Sequence, residues 1–356
     1  MLRGAKATLD RATGALRSRI SKRARRELAL KDAEISALRK ELARLGGEEY
    51  PPAAGVPVFF VVGNQKSGTT WLMRMLDAHP EILCKGEGRF FGGSWRQKSL
   101  KQRDTMRPAS SLHYAVLDAE YLRLWIERSV WSRNDSADEH LDNLTRMAID
   151  YFLGGALLKS GKQVVGDKSP LLTPDTIREI SAIYPEAKVV HIIRDGRDVA
   201  VSAAHHARNF GRARQRGDSN ETRGSIFPEG QLEKLVAEWT SRVGKTVEDG
   251  PALLGENYTE VRYEDLLHKP EAEVQRLLTF LAVDSDAKAA TRCIEAASFE
   301  KLSKGRKRGE EDPTSFFRKG IAGDWKNVFT EKNKREFKGA AGDLLISLGY
   351  EEDDNW

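Results

Sequence analysis

Apolar positions along this chain come in short blocks that alternate between two rhythms. Val58-Phe-Phe-Val-Val62 is an unbroken apolar run of strand length, as expected of a strand covered on both faces. A glycine-containing turn follows, then a helical spacing from about Gly68 to Ala78. The strand pattern returns at Ile82-Leu-Cys84, Val164-Val165, Lys188–Ile193 and Tyr258–Val261, each time ahead of a helical pattern. Such alternation predicts an α/β fold with a parallel sheet of about five strands flanked by helices. Two stretches break the rhythm. Residues 95–158 read as a helical insertion containing Trp95, Trp125 and Trp131, and residues 211–230, with Gly211-Arg-Ala-Arg-Gln-Arg216, read as a basic loop. Ligands of open α/β sheets bind at the carboxyl ends of strands, where insertions project. The first stretch is therefore expected to cap the ligand site; plain packing helices are the alternative.

Ahead of this body lies a different kind of sequence. From Lys6 to Leu45 there is no proline, and Leu28, Ile35, Leu38, Leu42 and Leu45 trace a short a/d seam interrupted by Lys31. Gly46 and Gly47 end the pattern, and Pro51, Pro52 and Gly55 mark a linker. The predicted organisation is a basic helical arm over 1–46, a linker over 47–56 and one domain over 57–350. The whole chain carries +5, but residues 1–45 hold 13 Lys and Arg against 5 Asp and Glu, which leaves the body mildly acidic. The arm reads as a solvated, short coiled-coil-like extension, or as a surface for peripheral membrane contact or weak self-association. Nucleic acid is not an expected partner, because no aromatic residues interleave the charges. The two cysteines, Cys84 and Cys293, fit a reducing, cytoplasmic setting.

Chemistry concentrates in Val61-Val-Gly-Asn-Gln-Lys-Ser-Gly-Thr-Thr-Trp-Leu72. A buried strand running into such a loop and then a helix N-terminus forms an anion cradle of backbone N–H groups. Gly63 and Gly68 have the separation of a Walker A loop, yet Thr69 stands where its lysine belongs, and the lysine sits earlier, at Lys66. That displacement argues against an ordinary ATPase or kinase. In a second segment, His191-Ile-Ile-Arg-Asp-Gly-Arg-Asp-Val-Ala-Val-Ser202, Arg194 ends a strand and Ser202 lies about two helical turns on. The two could converge on one phosphate dianion, or Arg194 could pair with Asp198 at the helix start.

These segments resemble the PAPS-dependent sulfotransferases (PAPS, 3'-phosphoadenosine 5'-phosphosulfate), and the resemblance covers roughly residues 58–330. Lys66-Ser-Gly-Thr-Thr-Trp71 is similar to that family's 5'-phosphosulfate loop, and Arg194 to Ser202 to its 3'-phosphate segment. Tyr263-Glu-Asp-Leu266, Ser298-Phe299-Glu and Arg318-Lys-Gly-Ile-Ala-Gly-Asp-Trp-Lys-Asn-Val-Phe-Thr330 match later family segments in order. The resemblance implies a P-loop-like fold that binds PAPS as co-substrate without a metal. It places Lys66, Ser67, Gly68, Thr69 and Thr70 at the 5' end of the nucleotide and Trp71, Ser298 and Phe299 at its adenine. Arg194, Ser202, Arg318, Lys319 and Gly320 fall at its 3'-phosphate, and Tyr263 joins the cofactor site.

Cytosolic-type relatives carry a catalytic histidine after a strand-end lysine, whereas this chain has Gly166-Asp-Lys-Ser-Pro170 there. Glu87-Gly-Arg-Phe-Phe91 resembles instead the glutamate segment of carbohydrate-modifying relatives. Glu87 is thus expected to be the general base, with Lys66 and Lys168 as catalytic cations; a surface carboxylate beside Lys85 and Arg89 is the alternative. The family's short C-terminal dimerisation motif is only half kept: Lys326 and Thr330 are in place, but Glu331 and Arg335 replace its valine and glutamate. The expected acceptor is a small molecule or glycan. An unusual nucleotide kinase and a catalytically inactive nucleotide-binding scaffold are the rival expectations.

Overall fold

The computed structural model describes residues 55–91, 119–132, 136–214 and 226–356. The arm over 1–46, residues 47–54 of the linker, residues 95–118 of the insertion with Trp95, and residues 215–225 of the basic loop lie outside the described residues.

Five strands form one parallel sheet: β1 (Val58–Gly63), β2 (Ile82–Gly86), β3 (Val164–Pro170), β4 (Lys188–Ile193) and β5 (Tyr258–Arg262), in the order β2-β3-β1-β4-β5. Every residue of β1 is buried, which explains its unbroken apolar run: it is the central strand, with β3 on one side and β4 on the other. Helices cover both faces, as parallel sheets require. The chain steps from β1 towards β2 on one side, then returns past β1 to reach β4 on the other. The carboxyl end of β1 is therefore the topological switch point, where a crevice opens.

Helix α1 (Thr69–Asp77) follows β1 and buries Trp71, Leu72, Met75 and Leu76 against the sheet. Helices α2 (Ala119–Arg128) and α3 (Ala137–Ser160) are the described part of the insertion, and they pack through Ile126, Leu141, Ile149 and Leu157. Helix α4 (Thr176–Ile183) precedes β4; α5 (Gly196–Arg214) follows it and contains the start of the expected basic loop. Helix α6 (Gln231–Leu254) leads to β5. After β5 come α7 (Tyr263–His268), α8 (Pro270–Phe280), α9 (Ala287–Ala296), the single turn α10 (Phe299–Leu302) and the C-terminal α11 (Glu331–Ser347).

β4 has the bounds that its apolar pattern predicts, and β5 is one residue longer. Two other strands outrun their patterns. β2 continues to Gly86, and β3 runs through Gly166-Asp-Lys-Ser-Pro170 although only Val164 and Val165 look strand-like in sequence. Asp167, Lys168 and Ser169 are all buried there. The Asp167 carboxylate accepts bonds from Ser169 Oγ (2.6 Å) and the Gly88 N–H (3.0 Å), so the polar strand end is satisfied internally.

Gly166 shows how tightly the sheet is filled. It stands opposite Phe59 of β1, and a Cβ there would lie 2.2 Å from the Phe59 ring, which is itself buried. Gly166→Ala is expected to force the ring from its place at a cost of about 1–3 kcal/mol, read as a lower denaturant midpoint with an unchanged slope. A midpoint equal to the wild type would show that the ring moves freely.

Candidate functional site

Three turns meet at the carboxyl edge of the sheet. The loop from Asn64 to Gly68 joins β1 to α1; its Ser67 N–H donates to the Asn64 carbonyl (3.1 Å), closing the turn. Gly68 caps α1 in a left-handed conformation (φ 95°), and a Cβ there would lie 2.6 Å from the Tyr263 ring, so only glycine fits. Lys66 is left-handed too (φ 71°), as are Glu87 (φ 56°) and Arg89 (φ 53°) just past β2. These three non-glycine residues, held in sparsely populated backbone conformations, line the same cavity.

That cavity has a volume of about 630 Å³, within the range of small-molecule sites. Of the sixteen site residues expected from sequence, Lys66, Gly68, Thr69, Thr70, Trp71, Glu87 and Lys168 line it. So do Arg194, Ser202, Tyr263, Phe299, Arg318, Lys319 and Gly320. The remaining two sit behind the wall. Ser67 is buried and its hydroxyl has no partner among the described residues. Ser298 caps α10, its Oγ accepting from the Lys301 N–H (3.4 Å). Trp125 and Trp131 of the insertion are exposed and do not line the cavity.

One end of the cavity is aromatic. Trp71 donates its indole N–H to the Ala297 carbonyl (2.8 Å) and meets the Tyr263 ring edge-on at 5.3 Å. Gly320 (φ 67°) packs on the Phe299 ring, and the Arg308 guanidinium stands 5.2 Å above Trp71. Next to this end the cations gather. The Arg194 guanidinium lies 4.2 Å over the Tyr263 ring. It donates to the carbonyls of Lys66 (3.1 Å) and Ile321 (2.9 Å) and reaches Asp198 at 3.6 Å, so the expected helix-start pair is present as well. Its Nε is buried and has no hydrogen-bond partner among the described residues. Arg318 pairs with Glu311 and Asp324, and Lys319 with Asp324 (2.7 Å). Burial alone would raise the Asp324 carboxyl, but the hydrogen bonds from Lys319 and Arg318 hold it below the usual range.

The opposite end is a small charge cluster. Lys168, almost fully buried on β3, donates to the half-exposed Glu87 carboxylate, whose own N–H donates to the Lys168 carbonyl (3.3 Å). The hydrogen bond from Lys168 holds the Glu87 carboxyl below its usual value, against the opposing effect of burial. The Lys66 ammonium lies 5.0 Å over the Phe316 ring. Burial, aided by the positive Lys168, pushes its pKa down to about 8, although Glu87 works the other way.

Sequence reasoning gave no site role to several lining residues: Arg89, His206, Arg308 and the Phe316-Phe317 pair. Helical spacing could have found His206, which lies one turn beyond Ser202 on the same face of α5. The Phe316-Phe317 pair directly precedes Arg318, but nothing local marks it as a wall.

Comparison with known proteins fits this geometry. The chain is 25% identical over 241 residues to protein-tyrosine sulfotransferase A of Caenorhabditis elegans, covering 65% of this chain and 51% of that protein. It is 27% identical over 175 residues to sulfotransferase 1B1 of Mus musculus (43% and 52% covered). It is 24% identical over 303 residues to nodulation protein NoeE of Sinorhizobium fredii (83% and 66%). The matches thus span about half to two thirds of these relatives' lengths. The fold superimposes on the crystal structure of mouse sulfotransferase SULT7A1 complexed with PAP, with a TM-score of 0.50 at 16% identity, over 83% of this chain and 87% of that one. The family model described as "Sulfotransferase family" matches residues 57–287, from the first residue before β1 to the start of α9, and the chain belongs to that family.

Proposed function

We propose that this protein transfers the sulfuryl group of PAPS to a hydroxyl or amine of a small-molecule or glycan acceptor. One observation carries the reading. A single cavity has a backbone anion cradle at the Lys66–Thr70 turn and a separate cation group, Arg194, Arg318 and Lys319, beside an aromatic wall of Trp71 and Phe299. A nucleotide with charge at both ends of its ribose matches that arrangement, and the PAP named in the mouse relative's structure is such a nucleotide. The buried Arg194 Nε, without a hydrogen-bond partner among the described residues, is the kind of orphaned donor that a phosphate would satisfy.

In this reading Gly68, Thr69 and Thr70 hold the 5'-phosphate at the start of α1. Trp71 and Phe299 flank adenine, with Ser298 behind Phe299. Arg194, Ser202, Arg318, Lys319 and Gly320 bind the 3'-phosphate, and Tyr263 supports Trp71 and Arg194 from below. Lys66 and Lys168 neutralise the charge that builds on the leaving oxygen, by positioning and electrostatics as in phosphoryl transfer. Glu87, ionised and half-exposed in the cavity lining, takes the acceptor's proton. The curated relatives' names range from protein-tyrosine to flavonol sulfotransferases, so acceptor preference is argued from the site itself. A glutamate base and the exposed face of Phe316 above Lys66 favour a saccharide, glycolipid or other small ring-bearing molecule. The buried cysteines suit a cytoplasmic enzyme.

Titration calorimetry with PAP in EDTA is expected to show binding that Arg194→Glu or Lys66→Glu abolishes. Magnesium-dependent binding of ATP in its place would favour a kinase, and no heat from either nucleotide would remove the reading. Glu87→Gln is expected to lower kcat by about 10²-fold or more with PAP affinity little changed; full turnover would exclude Glu87 as base.

Lys66 gives the pH dependence a sign. Burial favours its neutral form, so the cation that the reaction needs is present below about pH 8 and lost above it. kcat/KM for PAPS should therefore fall on the alkaline side with an apparent pKa near 8. In Lys66→Arg that limb should vanish from the accessible range, because a guanidinium stays charged. An unchanged alkaline limb in Lys66→Arg would assign it to another group.

A further inference from the structure

The catalytic end of the cavity holds a histidine to which no role has been given. His206 lies on α5 one turn beyond Ser202, half-buried, and lines the same cavity as Lys66, Glu87 and Lys168. It is close enough to the Lys66 ammonium for the two charges to interact. Glu87 approaches from the other wall, past the end of β2, and is tied to Lys168. A proton arriving on Glu87 turns that ion pair into a neutral hydrogen bond, and the pair itself makes the carboxylate a weaker base.

We infer that His206 is a second proton acceptor for the sulfuryl transfer proposed above, acting from α5 where the end of β3 offers no histidine. The inference rests on that assignment of the cavity. In the step, the acceptor oxygen forms its bond to sulfur while the bond from sulfur to the bridging oxygen of the 5'-phosphate breaks. The electron pair of that bond stays on the phosphate, and the acceptor's proton moves to an imidazole nitrogen and from there to solvent. A neutral imidazole accepts the proton on the lone pair of a ring nitrogen and becomes the cation. Burial, and then the positive charge of Lys66, keep His206 neutral to lower pH than an ordinary histidine. The charged groups that share its cavity are Lys66 from the phosphate loop, Glu87 and Arg89 past β2, Lys168 from β3, Arg194 at the end of β4, and Arg308, Arg318 and Lys319 from the C-terminal segment. Cations outnumber the one carboxylate among these, which again favours the neutral ring.

The test uses the full chain and PAPS labelled in its sulfuryl group, with water as acceptor, so that no acceptor has to be identified first. Hydrolysis is followed across about pH 5 to 9 for wild type, His206→Gln, Glu87→Gln and the double variant, and PAP affinity is measured for each. His206→Gln should lower kcat at least about tenfold while PAP affinity stays within about threefold. The double variant should fall below either single one. The acid limb of kcat/KM, set in wild type below the ordinary histidine value of about 6.5, should move down into the carboxylate range once His206 is gone.

Wild-type turnover in His206→Gln with an unchanged acid limb would overturn the inference. So would a double variant no slower than Glu87→Gln, or wild-type hydrolysis no faster than in buffer. Failure of the wild type to bind PAP at all would instead overturn the assignment of the cavity, so the two failures are distinct.

Discussion

The site depends on one buried carboxylate, Asp198, at the start of α5. Its oxygens accept the backbone N–H groups of Gly323 (2.7 Å) and Trp325 (3.0 Å), more than a hundred residues away. This contact binds the C-terminal segment, with Arg318, Lys319 and Gly320, to the strand end that presents Arg194. A carboxylate in the first turn of a helix is also favoured by the helix dipole. Around it, Arg197 is buried between the rings of Trp325 (3.8 Å) and Trp356 (4.3 Å) and paired with Asp195 and Glu351. Of the charged residues in Arg194-Asp-Gly-Arg-Asp198, only Arg194 faces the cavity; the others hold the frame together.

A pocket lined by this many cations must be stable with no anion in it. Cations gathered this closely repel one another, and burial adds a desolvation cost to each. The structure answers with carboxylates that can be exchanged. Asp324 and Glu311 take Arg318 and Lys319, and Glu87 takes Lys168. Backbone carbonyls and ring faces serve as well: Arg194 donates to the carbonyls of Lys66 and Ile321 and lies on Tyr263, Lys66 lies on Phe316 and Arg308 on Trp71. Under the proposed function, an entering anion would replace partners of the same kind rather than neutralise bare charge. Binding would then be an exchange of ion pairs, with specificity set by the fixed positions of the donors.

The strand cores and the phosphate loop were legible in the sequence because each obeys a local rule. β1 is an apolar run, and Gly68 is a glycine where a left-handed cap touches an aromatic ring. The extension of β3 was not legible, because Asp167, Lys168 and Ser169 are polar. They are tolerated in a buried strand only through bonds to one another and to the Gly88–Glu87 turn, which lies 80 residues earlier. The role of Ser298 as a helix cap, and of Asp198 as the anchor of a distant loop, belong to the same category. Short polar residues look alike in sequence whether they face a ligand or a backbone N–H. His206 was hidden differently: its spacing from Ser202 was visible, but only the cavity shows that both point the same way.

The left-handed backbone at Lys66, Glu87 and Arg89 links fold to chemistry most directly. Each is a long, charged side chain in a conformation that glycine would adopt more cheaply. In exchange, Lys66 carries its ammonium over the Phe316 ring, and Glu87 turns back towards Lys168 on the neighbouring strand. The Glu87 turn is kept in this state by the two backbone bonds from Glu87 and Gly88 to Lys168 and Asp167. A carboxylate on a flexible loop would be ionised but not held in one direction. On a strained turn bonded to the strand that carries its partner cation it is also aimed, which ties the direction of Glu87 to the integrity of the β2–β3 edge.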